Sequence, residues 1–161
     1  MERFYDYVNK AIKSYTTADH MVHMTYQVVH DPKIMLLAAT HLYESLENAV
    51  SAILYYDYYF KRIQLFPQDP ASRLDIFTRY SCSRHNIPRE TVRLIQDIRA
   101  IHSEHKSSEM EFRRKNSFII ATKNYRLRTL NSEKLKSFLN IAKPLISKII
   151  EVKKLNDRRI S

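Results

Sequence analysis

Not one of the chain's 161 residues is glycine. Glycine is the residue that enters left-handed backbone without a steric penalty, so tight hairpins and phosphate-cradling loops depend on it. An average chain of this length carries about eleven. Their absence excludes a P-loop, a dinucleotide-binding fingerprint and a strand-to-helix nucleophile elbow. It also argues against β-sandwiches and barrels, which turn through positive φ many times. What remains is an all-α chain, long enough to fold as a single helical domain over 1–161 with a sizeable core.

Apolar periodicity supports that reading and places four or five helices around a long central one. Residues 2–30 read as helix, with Phe4, Val8, Ala11, Ile12 and Tyr15 on one stripe. A bend is expected at Thr16 and Thr17, after which the stripe resumes at Met21, Met24 and Val28. Asp31-Pro32 is a helix start, with Asp as N-cap and Pro at the first helical position. The central helix is predicted over 32–64, with Ala38, Ser45 and Ala52 recurring every seven residues and apolar side chains on nearly all sides. Asp69-Pro70 opens a helix to about Arg84, and Asn86-Ile87-Pro88 opens another over 88–106 with Val92, Ile95, Ile98 and His102 inward. A polar stretch, 107–116, reads as an exposed connection. Phe118–Ala121 and Tyr125–Leu130 then flank Thr122-Lys123-Asn124, which predicts a small β-hairpin at about 117–130, before the C-terminal helix. Asn131-Ser132-Glu133 caps that last helix, which runs to about 155 with a kink at Pro144.

The formal charge is +10 at neutral pH, and it is unevenly placed. Residues 1–70 carry a net −2, whereas 71–161 carry +12. A field of that kind suits a polyanion, with RNA preferred over other nucleic acid; it also suits a solvated basic surface. Seven cations concentrate the signal: Lys106, Arg113, Arg114, Lys115, Lys123, Arg126 and Arg128, with Phe112, Phe118 and Tyr125 interleaved. On a hairpin, Arg126 and Arg128 point to one face, and Tyr125, Leu127 and Thr129 to the other. The region 99–128 is thus the expected nucleic-acid surface. Cys82 is the only cysteine, which fits a reducing cytoplasm. The charged opening Met-Glu-Arg-Phe-Tyr-Asp-Tyr does not read as a signal peptide, and Glu44, Glu47, Asn48 and Asp57 interrupt the most apolar stretch, so no membrane partner is expected.

Three further constellations carry chemistry. Arg99 and His105 stand near a helix end, and His102 lies one turn from Arg99 as an alternative histidine. Arginine can hold a phosphate in two hydrogen bonds while histidine moves protons near neutral pH. This spacing, with Leu37–Ala49 on the second helix, resembles the Arg-x(4–6)-His motif and second-helix pattern of HEPN domains, helical bundles that include RNases and toxin–antitoxin partners. The likeness spans about residues 15–110 and the last helix. It implies a metal-independent endoribonuclease in which Arg99 stabilises charge on phosphorus and His105 transfers a proton, across a two-subunit cleft. Residues six apart do not share a helix face, so that mechanism requires the helix to end or distort between them, near Ser103. Asp-Pro-Lys at 31–33, Leu-Tyr-Tyr at 54–56 and Asn-Tyr-Arg at 124–126 also resemble a family of small uncharacterised archaeal proteins; that likeness implies an archaeal cytoplasmic protein and no particular activity.

The pair His20/His23 with Asp19, and Glu44 with Glu47, are the metal-like groupings, but neither carries the Glu-x-x-His pattern of carboxylate-bridged bundles. No metal site and no cofactor are expected. Finally, Tyr55, Tyr58, Tyr59 and Ile63 crowd the end of the central helix, which predicts a homodimer through 55–63. The leading expectation is a nucleic-acid-binding protein; the alternatives are the endoribonuclease and a non-catalytic helical partner such as an antitoxin or assembly subunit.

Overall fold

Three helix starts carry the capping group their sequence advertises. Asp31 accepts from the Lys33 amide at 3.0 Å, Asp69 from Ser72 at 2.9 Å, and Asn131 from Lys134 at 2.9 Å. In a computed structural model describing residues 1–161, these starts organise five helices and a three-stranded antiparallel sheet, so the chain is predominantly helical. Helix α1 is Glu2–His20, continued by a π turn at Met21–Thr25 and a last turn at Tyr26–Val29. The central helix α2 is Lys33–Tyr59. Helix α3 is Pro70–Ile76, a π turn at Phe77–Ser81 and a final turn at Cys82–Arg84. Helix α4 is Arg89–Ser107, strands β1, β2 and β3 are Met110–Arg114, Ser117–Ala121 and Leu127–Leu130, and α5 is Ser132–Ile160.

The helix α2 is buried on almost every side along its second half, from Ala49 through Asp57. Its small-residue seam faces α1 closely enough for the Ser45 hydroxyl to donate to the Ala11 carbonyl at 2.7 Å. One continuous core joins Phe4, Val8 and Leu42 to Ile95 and Ile98 of α4, Ile120 and Leu130 of the sheet, and Leu139 and Ile149 of α5. The apolar circumference that predicted a dimer is therefore covered within one chain. Tyr55, expected at a subunit contact, is buried: its ring stacks on Tyr7 at 5.4 Å, and the 60–69 connection folds Phe66 against it. Only Tyr58 and Tyr59 of that cluster are largely exposed.

Several boundaries differ from expectation for physical reasons. The irregularity in α1 is not at Thr16 and Thr17 but at the π turn, whose extra residue lets the buried stripe run Ala18, Val22, Tyr26; Met24 and Val28 consequently face outward. The helix α2 ends at Tyr59 rather than 64, because Lys61 turns left-handed at φ 56° and Arg62 closes back on the Asp57 carbonyl at 2.8 Å. Residues 110–114 form a strand, not a connection, giving a sheet in the order β1-β2-β3. Charged Arg113 and Arg114 obscure its alternation, and only pairing with β2 makes it extended.

Five residues occupy the left-handed positions that other chains give to glycine: His30, Lys61, Asn86, Lys115 and Tyr125. His30, Lys61 and Asn86 follow helix ends, Lys115 begins the two-residue β1–β2 turn, and Tyr125 sits in the β2–β3 loop.

Beneath the tail of α2, Asp57 is fully buried among cations and donors. It accepts from Ser81 Oγ at 2.7 Å and Arg84 at 3.0 Å, His85 Nε2 lies 3.0 Å away, and Arg62 approaches to 3.4 Å. Burial pushes its carboxyl up, but the hydrogen bonds of His85 and Ser81, with the charges around them, outweigh that and hold it below the ordinary aspartate value. This cluster ties α2 to α3.

Candidate nucleic-acid interface

Cross-strand register divides the sheet into two unlike faces. Glu111 opposite Ile120, Arg113 opposite Phe118, and Arg128 opposite Ile120 share the inner face with Leu130. The opposite face carries Met110, Phe112 and Arg114 on β1, Ile119 and Ala121 on β2, and Leu127 and Thr129 on β3. Ile119 is buried yet lies outside the main core, between its cross-strand neighbours Phe112 and Thr129. Met110 and Leu127 are 62% and 57% exposed. The outer face is therefore mostly apolar, and it is open at its Met110/Leu127 end.

The seven cations predicted from sequence separate into two groups. Arg113 reaches back to Asp31 at 2.7 and 3.2 Å, tying the sheet to the α1–α2 turn. Arg128 lies against α4, with both Glu104 oxygens at 2.8 and 2.9 Å and Asp97 at 3.2 Å. Of the expected basic strand face, Arg128 is thus occupied by the protein's own carboxylates. By contrast, Lys106, Arg114, Lys115, Lys123 and Arg126 are exposed and form no ion pair. Arg114 and Lys115 sit at one end of the sheet, and Lys123 and Arg126 at the other, about 15 Å away along the strands.

The β2–β3 loop is closed by the Thr122 amide and hydroxyl, which donate to the Arg126 carbonyl at 2.8 and 3.1 Å. It stands as a wall between two clefts. The inner cleft, about 600 Å³, lies towards the end of α4 and the start of α5 and is lined by Lys123, Asn124, Arg126, Arg128 and Lys134. The outer cleft, about 630 Å³, is lined by Glu109, Met110, Tyr125 and Leu127, and shares Lys123 and Arg126. Lys134 is the cleft residue that sequence reasoning misses. Its signal is a cation in the first turn of a helix, where the dipole disfavours positive charge. Burial pulls the Lys134 ammonium below its ordinary pKa, with the Arg128 charge adding to the effect.

The helix α4 runs unbroken through Ser103 to Ser107 and does not bring Arg99 and His105 to one point. Arg99 is drawn to α2, where Glu47 accepts at 2.6 Å, and to the Pro70 carbonyl at 3.2 Å. His105 Nδ1 lies 2.5 Å from Glu111 on β1. His102, between them, stacks on Tyr43 at 4.2 Å. Burial holds His102 towards its neutral form, reinforced by the charges of Lys106 and His105. Of the metal-like residues, His20 meets the Thr25 hydroxyl at 3.4 Å, His23 meets Asp19 at 3.5 Å and His41 meets Glu44 at 3.8 Å. No three such side chains are arranged to hold a metal ion. Cys82 is half-buried, and burial raises its thiol to about 11, well away from a nucleophile's range. No helix is long and apolar enough to cross a membrane. Comparison with known proteins finds no matching family, no matching curated protein and no matching solved structure.

Proposed function

We propose that this chain is a cytoplasmic protein that binds nucleic acid, RNA in preference, through the three-stranded sheet and the basic residues around it. The observation that carries the reading is the division of cations within 106–128: two are neutralised by the fold, and five stand exposed without a carboxylate partner. Unpaired cations at both ends of the sheet and on the adjoining end of α4 do nothing for the stability of these elements, whereas they neutralise a phosphate chain directly. Lys134 adds a sixth cation in the inner cleft, where an arriving anion would offset the loss of hydration that its ammonium has suffered.

Each neutralised phosphate releases counterions, so affinity for a labelled RNA strand should fall steeply with salt. Replacing Arg114, Lys115, Lys123 and Arg126 together by Ala should weaken binding by about 100-fold at low salt and flatten the salt slope by about 0.7 for every phosphate no longer neutralised. Circular dichroism should be unchanged, because surface replacements of this kind usually alter stability by no more than about 0.5 kcal/mol each. Affinity that is indifferent to salt would sink the proposal. Cleavage of the RNA in chelator, abolished by both Arg99→Ala and His105→Ala, would instead support the endoribonuclease.

A further inference from the structure

We infer that the nucleic acid bound here is single-stranded, with unpaired bases lying on the apolar outer face of the sheet and phosphates turned over the Lys123/Arg126 wall into the inner cleft. This rests on the proposed binding function and specifies its substrate class. The two clefts differ in chemistry although they share that wall. The inner one adds the cations Lys134 and Arg128, the latter engaged by Glu104. The outer one adds Met110, Tyr125 and the carboxylate of Glu109 and shares Leu127, whereas the carboxylate of the inner cleft, Glu104, is already paired with Arg128. A carboxylate repels a phosphate but accepts a hydrogen bond from the exocyclic amine of a base. Apolar and aromatic surface likewise suits the flat face of a base, not a phosphate.

Tyr125 supplies a second line of support. Its side chain is fully exposed, and its backbone is held at φ 60°, a conformation that costs an aromatic residue stability. Phe112 lies on the same outer face as Leu127, one strand beyond the buried Ile119. A duplex would meet this surface with phosphates on its exterior and its bases stacked away inside. A single strand can place bases between the cation pairs Arg114/Lys115 and Lys123/Arg126 at the two ends of the sheet.

The test uses the full chain and three labelled probes of equal length: single-stranded RNA, the corresponding duplex, and an abasic ribose–phosphate strand. Binding is followed by fluorescence anisotropy at one low salt concentration. The single strand should bind at least tenfold more tightly than either other probe. Tyr125→Asn removes the ring while keeping a residue that tolerates left-handed backbone. It should weaken the single strand about tenfold and leave the abasic strand unchanged, and Tyr125→Phe should restore stacking. Equal affinity for all three probes, or a Tyr125→Asn effect shared by all of them, would overturn the inference while leaving electrostatic binding intact. A single-strand preference indifferent to Tyr125→Asn would overturn the assigned base surface. No salt-dependent binding to any probe would remove both the inference and the function it rests on.

Discussion

The two ends of the molecule use positive charge in opposite ways. Beneath the tail of α2, Arg84 and Arg62 converge with Ser81 and His85 on a fully buried Asp57. At the sheet, Arg114, Lys115, Lys123 and Arg126 extend into solvent with no carboxylate to meet them. Removing water from a charge is costly unless partners replace it, so the Asp57 cluster is a commitment of the fold. Exposed cations keep their water and remain available to a ligand. Within 106–128 a basic residue is therefore read by its partner: Arg113 and Arg128, like Arg84 and Arg99 elsewhere, hold elements together, and the unpaired set is the surface proposed to bind.

The largest effect that could break this contrast lies at Asp57. Asp57→Ala leaves Arg84, His85 and Ser81 facing an empty site and should lower stability by about 3–5 kcal/mol in urea unfolding. RNA binding per folded molecule should not change. The pH dependence has a definite sign. Asp57 is held below the ordinary aspartate value of about 3.9, so its contribution is complete above that pH and is lost as pH falls through the lower folded value. An acid-side decline below about pH 4 should be shallower in Asp57→Asn than in the parent. An identical acid limb in both would mean that other carboxylates govern acid unfolding.

A smaller effect sharpens the comparison within the sheet. Arg128→Ala leaves Asp97 and Glu104, two turns apart on α4, without their shared cation and should cost about 1–2 kcal/mol. Arg126→Ala, two residues away, should leave stability within about 0.5 kcal/mol. Its effect belongs in binding, where the salt slope for a single-stranded probe should fall by about 0.7. If the two variants exchanged these phenotypes, the paired and unpaired sets would be wrongly divided.

The smallest effect comes from the missing glycines. Lys61→Gly relieves a left-handed residue at the end of α2 and should raise stability by roughly 0.5–1 kcal/mol. Lys115→Gly makes the same backbone change within the unpaired set, so it should stabilise the hairpin and yet weaken RNA binding. Thermal melting and anisotropy on the two variants would separate the consequences; weakened binding in Lys61→Gly would blur them.

Much of the fold is legible because the signals that write it are local. Asp31, Asp69 and Asn131 cap amides two or three residues away, and the α5 stripe Leu135, Phe138, Leu139, Ala142, Leu145, Ile146 and Ile149 is buried as its spacing predicts. The strand β1 escapes a reading by pattern because its alternation is masked by Arg113 and Arg114, and its extended form depends on pairing with β2. Lys134 hides beside a convincing cap, although its position in the first turn of α5 runs against the helix dipole.

The sequence by itself determined that this chain would be helical, without glycine-dependent phosphate loops, and basic in its second half. Those properties reside in residue type and in spacings of a turn or two. Only the tertiary structure decided which cations are neutralised, because the partners lie far along the chain: Asp31 for Arg113, Glu47 for Arg99, and Glu104 for Arg128. It likewise buried Tyr55 under Phe66 and left Tyr125 open. Charge neutralisation and exposure depend on what comes within a few ångströms in space, and neither is encoded in the spacing of residues along one helix.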